Sequence, residues 1–270
     1  MEPHAQDGVR ADGELTVEHR GPAVIVTLNR PESLNALTPR MVDGLLALVR
    51  ELDADPEVSG VIITGAGRAF CAGADIRWES DASAEEFSAF IDTLQELTRS
   101  LRRIGALTFA ALNGLALGGG FELALACDAR IAAIDAVVGL PEMSLGLTVT
   151  GGVTHTLPGI IGTSRTLDLL ISGRSVHTTE ALELGLIDAV AVDPAAEAVG
   201  RSALAAIATR ELVEAIKRQV YAGAAGTLEQ ALTLEKRTIM RAFGQPLAGR
   251  RLRDFVASSS RVGLPGTADR

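Results

Sequence analysis

Two acidic side chains stand in apolar surroundings where a solvated carboxylate is not expected. Glu122 lies inside the apolar run FELALAC, and Glu142 follows VVGLP at the end of a predicted strand. Burial raises the pKa of a carboxyl group, and two neighbouring acids push their pKa values apart, so that one holds a proton while the other accepts one. The pair predicts general acid and base chemistry. The alternatives are that Glu122 stabilises its own helix N-terminus and that Glu142 caps a turn.

Two segments rich in small residues offer main-chain N–H groups. CAGADI (71–76) follows an apolar run, and GLALGGGFEL (114–123) places three glycines at the start of a predicted helix. Glycine lets a ligand approach the backbone, and the first N–H groups of a helix have no partner within it. If the N–H groups of Ala74 and Gly119 converge, they form a two-donor hole for an oxygen that gains negative charge during a reaction.

The elements that must position these residues alternate between strand and helix. The strand patterns AVIVTLNRP (23–31) and GVIITGAG (60–67) flank PRMVDGLLALVRELDADP (39–56), whose apolar residues recur at helical spacing. The alternation continues in four further segments: a helix over 83–105, a strand over 107–117, a glycine turn and helix over 118–128, and a strand over 129–142. The pattern predicts an α/β core with buried, largely parallel strands covered by helices.

Helical patterns dominate the chain after about residue 163. The last third therefore predicts a helical module, and the polar ends predict flexible termini. The sequence thus divides into four predicted segments: a flexible N-terminus (1–12), a core that carries the site (13–205), a helical C-terminal module (206–257) and a flexible tail (258–270).

Composition and charge argue against several classes of function. With 25 basic and 34 acidic residues the net charge is −9, which repels a nucleic-acid backbone, and the chain contains no G-x-S-x-G motif of a serine hydrolase. The uncharged stretch 104–121 is interrupted by glycines, so it predicts a buried strand and turn, and no membrane association is expected. Cys71 and Cys127 lack metal-ligand spacing and fit a reducing cytoplasm, where we expect the protein. The first dozen residues are polar and contain no apolar segment, so we expect no secretory signal there.

Three motifs, in this order and spacing, resemble the enoyl-CoA hydratase/isomerase family, also called crotonases: RAFCAGADI (68–76), ALNGLALGGGFELALACDARIAA (111–133) and GLPEMSLGL (139–147). The similarity extends from LNRPESLNAL (28–37) to the segment that ends at residue 190. The resemblance implies a spiral core of ββα turns within the α/β class. It also implies a helical C-terminal region for trimerisation, with a homotrimer or a dimer of trimers as the assembly.

The resemblance also implies a reaction and roles for individual residues. Ala74 and Gly119 would supply the N–H groups that grip the thioester oxygen of an acyl-CoA substrate. Glu122 and Glu142 would hold and activate a water for attack at C3, and Glu142 would give a proton to C2. The implied function is an enoyl-CoA hydratase, which adds water reversibly and syn to a trans-2-enoyl-CoA. The implied reaction needs neither a metal nor a redox cofactor. Coenzyme A is part of the substrate and is not a separate cofactor.

Substrate-binding residues follow from the same resemblance. Backbone atoms near Glu32–Leu34 and around the first loop would contact the adenine and pantetheine. The predicted substrate-binding residues are Leu34, Ala72, Gly73, Asp75, Ile76 and Thr150. Three arginines are available for the phosphates, although an ordinary solvated face is the favoured interpretation: Arg250, Arg251 and Arg253.

The chain departs from the family pattern after the second glutamate. Hydratases typically read LGL.PG.GGTQRL, whereas this chain reads LGLTVTGGVTHTL (145–157), with Val149 and Thr150 in place of a Pro-Gly pair. Thr150 still offers its N–H, and its hydroxyl can donate or accept a hydrogen bond. The change leaves open another crotonase reaction, namely isomerisation, thioester hydrolysis or decarboxylation. His155 lies in the same segment, where an exposed histidine is a simpler interpretation than a catalytic one.

Overall fold

Seven strands form the larger of two β-sheets in the computed structural model, which describes residues 9–205 and 209–259. In spatial order they are β1 (Val9–Asp12), β2 (Leu15–Arg20), β3 (Ala23–Leu28), β4 (Gly60–Gly65), β6 (Leu107–Leu112), β8 (Ala129–Ala132) and β11 (Ala189–Val190). The pairs β1–β2 and β2–β3 are antiparallel, and the pairing from β3 to β11 is parallel. The parallel strands are nearly continuous apolar runs, as expected for a buried sheet.

A second sheet carries the strands that lead into the site. Its spatial order in the described residues is β10 (Ser175–His177), β9 (Val137–Gly139), β7 (Leu115–Leu117) and β5 (Ala69–Cys71). The strands β5, β7 and β9 are parallel to one another, and β10 pairs antiparallel with β9. Since parallel strands end at the same edge, the loops after β5, β7 and β9 lie side by side.

From β4 to β9, consecutive strands alternate between the two sheets and produce a spiral. Strands β4, β6 and β8 belong to the larger sheet, and each is followed by a strand of the smaller sheet and then by helix. The helices after these strand pairs are α2 (Ile76–Asp81), α3 (Ala84–Arg103), α4 (Gly119–Ala126) and α5 (Val153–Ile161). The implied ββα spiral is confirmed.

Several helices begin where the sequence supplies a capping side chain or a proline. Helix α1 (Pro39–Ala54) starts with Pro39, and the Thr38 hydroxyl accepts a hydrogen bond from the Met41 N–H. A reciprocal capping box between Ser83 and Glu86 starts α3. The others are α6 (Thr163–Ser172), α7 (Thr178–Leu184), α8 (Pro194–Ala205), α9 (Arg210–Ala225), α10 (Leu228–Phe243) and α11 (Pro246–Ser259).

The main hydrophobic core joins both sheets to the apolar faces of α1, α3 and α4. Its fully buried members include Leu45, Phe70, Leu97 and Phe121. A smaller cluster packs Ala198 of α8 against Phe109 and other residues of the larger sheet. Burial on this scale fixes the strand ends that carry the polar site residues.

The described chain divides into two compact units inside α9, one up to Glu214 and the other from Ala215. The sequence places the start of the helical module slightly earlier, at residue 206. Residues 9–12, which the sequence assigns to a flexible N-terminus, form β1 because they pair with the first four residues of β2. The rest of that predicted terminus (1–8) and most of the predicted tail (260–270) lie outside the described residues.

No helix in the described ranges is both long and apolar enough to cross a membrane. The uncharged stretch 104–121 instead forms β6, β7 and the start of α4, as the sequence predicts. Asn113 and Gly114 divide this stretch into two strands, which the sequence treats as one.

Candidate active site

Two main-chain N–H groups converge where β5 and β7 end. A methyl group placed on the Gly119 Cα would lie 3.6 Å from the Ala74 nitrogen, and one on the Gly73 Cα would lie 3.7 Å from the Gly119 nitrogen. Within residues 9–205 and 209–259, neither Ala74 N–H nor Gly119 N–H has a hydrogen-bond acceptor. The two groups therefore lie close together, and neither is used within the described chain.

The backbone around Ala74 aims its N–H away from the neighbouring segment. Leu37 N–H donates to the Gly73 carbonyl at 2.8 Å, and Asp75 N–H donates to the Leu37 carbonyl at 2.9 Å, which forms a parallel bridge between Leu37 and Ala74. When both neighbours of a residue bond the same partner residue, its own N–H points to the opposite side. The Ala74 N–H is thus free and fixed in direction.

Each of the three glycines at the start of α4 occupies its position for a different structural reason. Gly118 has φ +52°, its N–H donates to the Gly139 carbonyl at 2.9 Å, and a side chain there would lie 3.1 Å from Glu142 Oε1. A side chain on Gly120 would collide with the Cys71 carbonyl at 2.4 Å. Gly119 is the first residue of α4, so its N–H is one of the unpaired donors of a helix N-terminus.

Glu122 is one turn into α4 and is 4% exposed. Its Oε1 accepts a hydrogen bond from the Thr150 N–H at 2.7 Å. A side chain on Gly151 would lie 3.2 Å from Oε2, so glycine permits this close approach. Burial raises the pKa of Glu122 to about 7; the Thr150 N–H opposes the rise and the charge of Glu142 adds to it.

Glu142 opens the 3₁₀ turn Glu142–Leu145 that follows β9. Both of its carboxyl oxygens are shielded from solvent and have no hydrogen-bond partner among the described residues. Burial raises the pKa of Glu142, its own backbone N–H opposes the rise, and the charge of Glu79 adds to it. A buried carboxyl without a partner is costly, so this group is suited to hold a proton or to meet a substrate or water.

The two acids lie close to each other and to the start of α4. The charge of Glu142 contributes to the raised pKa of Glu122, and Glu142 Oε1 lies against Gly118. The next residue, Gly119, supplies one of the two free N–H groups. The arrangement can therefore polarise a carbonyl and move protons on atoms close to it.

The predicted substrate-binding residues around the first loop are also brought together. Leu34 has φ +52°, and its carbonyl accepts a hydrogen bond from the Ala72 N–H at 3.0 Å. Ile76 is 60% exposed beside this loop. Asp75 differs from the others, because its N–H and its carboxyl are both used within the protein.

The Thr150 segment places one main-chain donor on Glu122 and one hydroxyl near α3. The Thr150 hydroxyl accepts a long hydrogen bond, 3.5 Å, from the Gln95 side chain. His155 is an exposed residue of α5. Arg250, Arg251 and Arg253 lie on α11, in the second unit. Within the described residues, no group of His, Cys, Asp and Glu side chains has the arrangement of a metal site.

Sequence reasoning misses the residues that hold the loops. Arg30 pairs with Asp75, and Asn35 is fully buried with φ +59°. The Asn35 side chain accepts from the Arg30 N–H and donates to the carbonyls of Ala66 and Ala69. The sequence offers one signal, the asparagine at position 35 within LNRPESLNAL, because asparagine tolerates the left-handed conformation better than most residues.

The chain is similar to known proteins over most of its length. The enoyl-CoA hydratase/isomerase family model matches residues 19–248. A Mycobacterium bovis protein named probable enoyl-CoA hydratase echA8 is 36% identical over 85% of this chain and 89% of its own length. A short-chain-enoyl-CoA hydratase from Clostridium acetobutylicum is 37% identical over 67% of this chain and 69% of its own length.

A solved structure has the same fold. The crystal structure of an enoyl-CoA hydratase from Bacillus anthracis superimposes with a TM-score of 0.87 at 30% identity. The match covers 91% of this chain and 97% of that one.

Proposed function

This chain belongs to the enoyl-CoA hydratase/isomerase family, and we propose that it adds water reversibly and syn to a trans-2-enoyl-CoA, giving a 3-hydroxyacyl-CoA. The observation that carries the proposal is that the free N–H groups of Ala74 and Gly119 lie close together and that Glu142, whose charge acts on the buried Glu122, lies beside the adjoining Gly118. An enoyl thioester presents the matching groups, because its carbonyl oxygen suits the donors and its conjugated double bond suits an acid and a base.

The donors act on the thioester oxygen. The N–H groups of Ala74 and Gly119 donate to this oxygen, which becomes an enolate oxygen when water attacks C3. Donors fixed before the reaction stabilise such charge strongly, and one of them is worth about 10² to 10³ in rate. Because both are main-chain groups on fixed loops, little reorganisation is needed in the transition state.

The carboxyls handle water and protons. Glu122 and Glu142 hold the water and activate it for attack at C3, and Glu142 gives a proton to C2. The pKa of Glu122, about 7, lets it exchange a proton near neutral pH. The hydroxyl goes to C3 and a proton to C2, so water balances the reaction and this stoichiometry calls for no metal or redox cofactor.

The substrate and assembly complete the proposal. Leu34, Ala72, Gly73, Asp75, Ile76 and Thr150 form the acyl-CoA binding surface. We propose a homotrimer or dimer of trimers held by the C-terminal helices, in the cytoplasm. Exposed apolar side chains on α10 support an assembly, among them Leu228, Leu232, Ile239 and Phe243.

Double-bond isomerisation is the second candidate, and one observation favours it. The Thr150 N–H donates directly to Glu122, at 2.7 Å, and so is already used by the carboxyl rather than offered to a water. An isomerase needs only to carry a proton between C2 and C4 while the thioester oxygen is held. The two reactions are separated by oxygen-18 water, because only hydration places the label at C3.

The test of the proposal uses the purified full chain with short, medium and aryl trans-2-enoyl-CoAs. Hydration is followed as loss of the conjugated thioester absorbance, and the product is analysed for oxygen-18. The wild type is compared with Glu142→Gln and Glu122→Gln, with the exposed Glu180→Gln as the matched control.

We expect rapid loss of absorbance with label at C3. Both active-site variants should be slower by about 10²-fold or more, the scale for removing a general acid or base, and Glu180→Gln should match the wild type. A wild-type protein that hydrates no member of the panel would refute the hydratase proposal. Double-bond migration without label would favour the isomerase.

A further inference from the structure

Arg30 connects the two segments that define the position of the Ala74 N–H. Its side chain follows β3 and is 18% exposed. One guanidinium nitrogen, Nη2, lies 3.0 Å from Asp75 Oδ2, and another, Nη1, donates to the Ala36 carbonyl at 2.7 Å. The third nitrogen, Nε, lies 3.3 Å from Glu14 Oε1 on the opposite side.

Two of these contacts, to Ala36 and to Asp75, lie on the two segments that form the parallel bridge between Leu37 and Ala74. Ala36 directly precedes Leu37, which bonds the residues on both sides of Ala74, and Asp75 directly follows Ala74. One planar guanidinium therefore fixes the two strands of the bridge relative to each other at the point where the N–H leaves it. Such a planar, two-sided contact is geometrically stricter than a lysine could provide.

Arg30 also neutralises the charge next to the hole. Burial alone would raise the pKa of Asp75, but the hydrogen bond and positive charge of Arg30, with the N–H groups of Arg77 and Trp78, hold it below its ordinary value. Asp75 is therefore ionised. Burial is the main cause of the raised pKa of Glu79, and the negative charge of Asp75 raises it further. Without Arg30, this uncompensated charge would oppose an oxyanion at Ala74.

We propose that Arg30 is a positioning residue for the oxyanion hole, acting through Asp75 and the Leu37 bridge on the Ala74 N–H. The inference rests on the proposed function, because it assumes that this N–H meets a thioester oxygen. It adds a residue that itself touches no substrate.

The test compares Arg30→Met, Arg30→Lys, Asp75→Asn and the double variant Arg30→Met/Asp75→Asn. Glu14→Gln is the matched control, because it removes the charge of Arg30's other carboxylate partner and leaves the Asp75 side untouched. Asp75→Asn keeps the size of the residue that caps α2, so it remains informative if Arg30→Met folds poorly.

Two readouts are needed. The first is kcat and KM for enoyl-CoA hydration. The second is the absorption of a bound aryl-enoyl thioester that carries an electron-donating amino group, which moves to longer wavelength when its carbonyl is polarised. The second readout needs binding but no turnover.

We expect Arg30→Met and Asp75→Asn each to lower kcat about tenfold to 10²-fold, the scale of a misplaced catalytic group, with KM changed less than about threefold. The wavelength shift should shrink in both, and the double variant should be no worse than the poorer single one, since both break one contact. Arg30→Lys should recover part of kcat, and Glu14→Gln should stay within about twofold of the wild type.

The proposal is overturned if Arg30→Met and Asp75→Asn keep the wild-type kcat and wavelength shift. It is also overturned if Glu14→Gln is as damaging as Arg30→Met, because Arg30 would then act only through general stability. A wild type that shifts the bound probe but hydrates nothing would refute the proposed function alone, and the shift in the variants would still decide the role of Arg30.

Discussion

Replacing Glu122 by glutamine should change how the stability of the protein depends on pH. The pKa of Glu122 is raised from 4.5 to about 7, mainly because the folded chain buries the carboxyl. The folded state therefore binds this proton more tightly than the unfolded state. The resulting stabilisation is complete below about pH 4.5 and is lost as the pH rises through about 7.

The size of the effect follows from the two pKa values. At about 1.4 kcal/mol for each tenfold change in proton affinity, a rise from 4.5 to about 7 corresponds to about 3 kcal/mol of unfolding free energy. Glutamine has no such ionisation and its carbonyl can still accept the Thr150 N–H. Relative to the variant, the wild type should lose about 2 to 3 kcal/mol between about pH 5 and pH 8.

Urea denaturation at a series of pH values, at one protein concentration, measures this difference. Glu142→Gln is the informative companion, because removing the Glu142 charge should lower the pKa of Glu122 and shift the transition to lower pH. Glu180→Gln is the surface control, since the hydrogen bond from Arg174 lowers the pKa of Glu180 and gives no loss in this range. A difference between wild type and Glu122→Gln that stays constant within about 0.5 kcal/mol would refute the assignment of a raised pKa to this residue.

Three further predictions concern individual residues. Gly118→Ala should lower the free energy of unfolding, measured by urea denaturation, by about 1 to 2 kcal/mol because of the positive φ, and it should slow hydration because the added methyl meets Glu142. The control Gly200→Ala, in α8, should be neutral or stabilising. Equal stability of the two variants would contradict this prediction. Asn35→Ala should lose about 3 kcal/mol or more of unfolding free energy, since it removes three buried or part-buried hydrogen bonds, and a loss below about 1 kcal/mol would be inconsistent with that role. Burial raises the pKa of Cys71 to about 12, so mass spectrometry after iodoacetamide treatment should find it alkylated only in unfolded protein, and labelling of the native thiol would show the burial to be wrong.

Much of the fold follows from local patterns in the sequence. The β-branched runs at 23–28 and 60–65 and the helical spacing in α1 and α3 predict those elements correctly. The division into two sheets does not follow, because β5, β7 and β9 are only three residues long and periodicity cannot assign a strand to a sheet. The spiral was predicted only through the family resemblance.

The acids of the site are easier to predict than the residues that hold it. Glu122 and Glu142 stand out because polar residues are rare in apolar runs, and the structure does bury their carboxyls. The meeting of Ala74 with Gly119 needs β5 beside β7, a contact between segments more than 40 residues apart. Arg30 stands beside a proline turn in the sequence, and nothing there indicates its partner Asp75.

The bridge at Leu37 also bears on how such a catalyst can change over evolutionary time. The Ala74 donor is a peptide group held by other peptide groups, so among substitutions of Leu37 or Ala74 only proline removes a backbone N–H. In the proposed reaction, by contrast, the groups that handle protons are two side chains, and a single substitution removes the charge of either. The group proposed to polarise the thioester therefore survives most substitutions, whereas the carboxyls proposed to direct the enolate can be exchanged one residue at a time. A new reaction can arise in such a chain without first giving up the old intermediate.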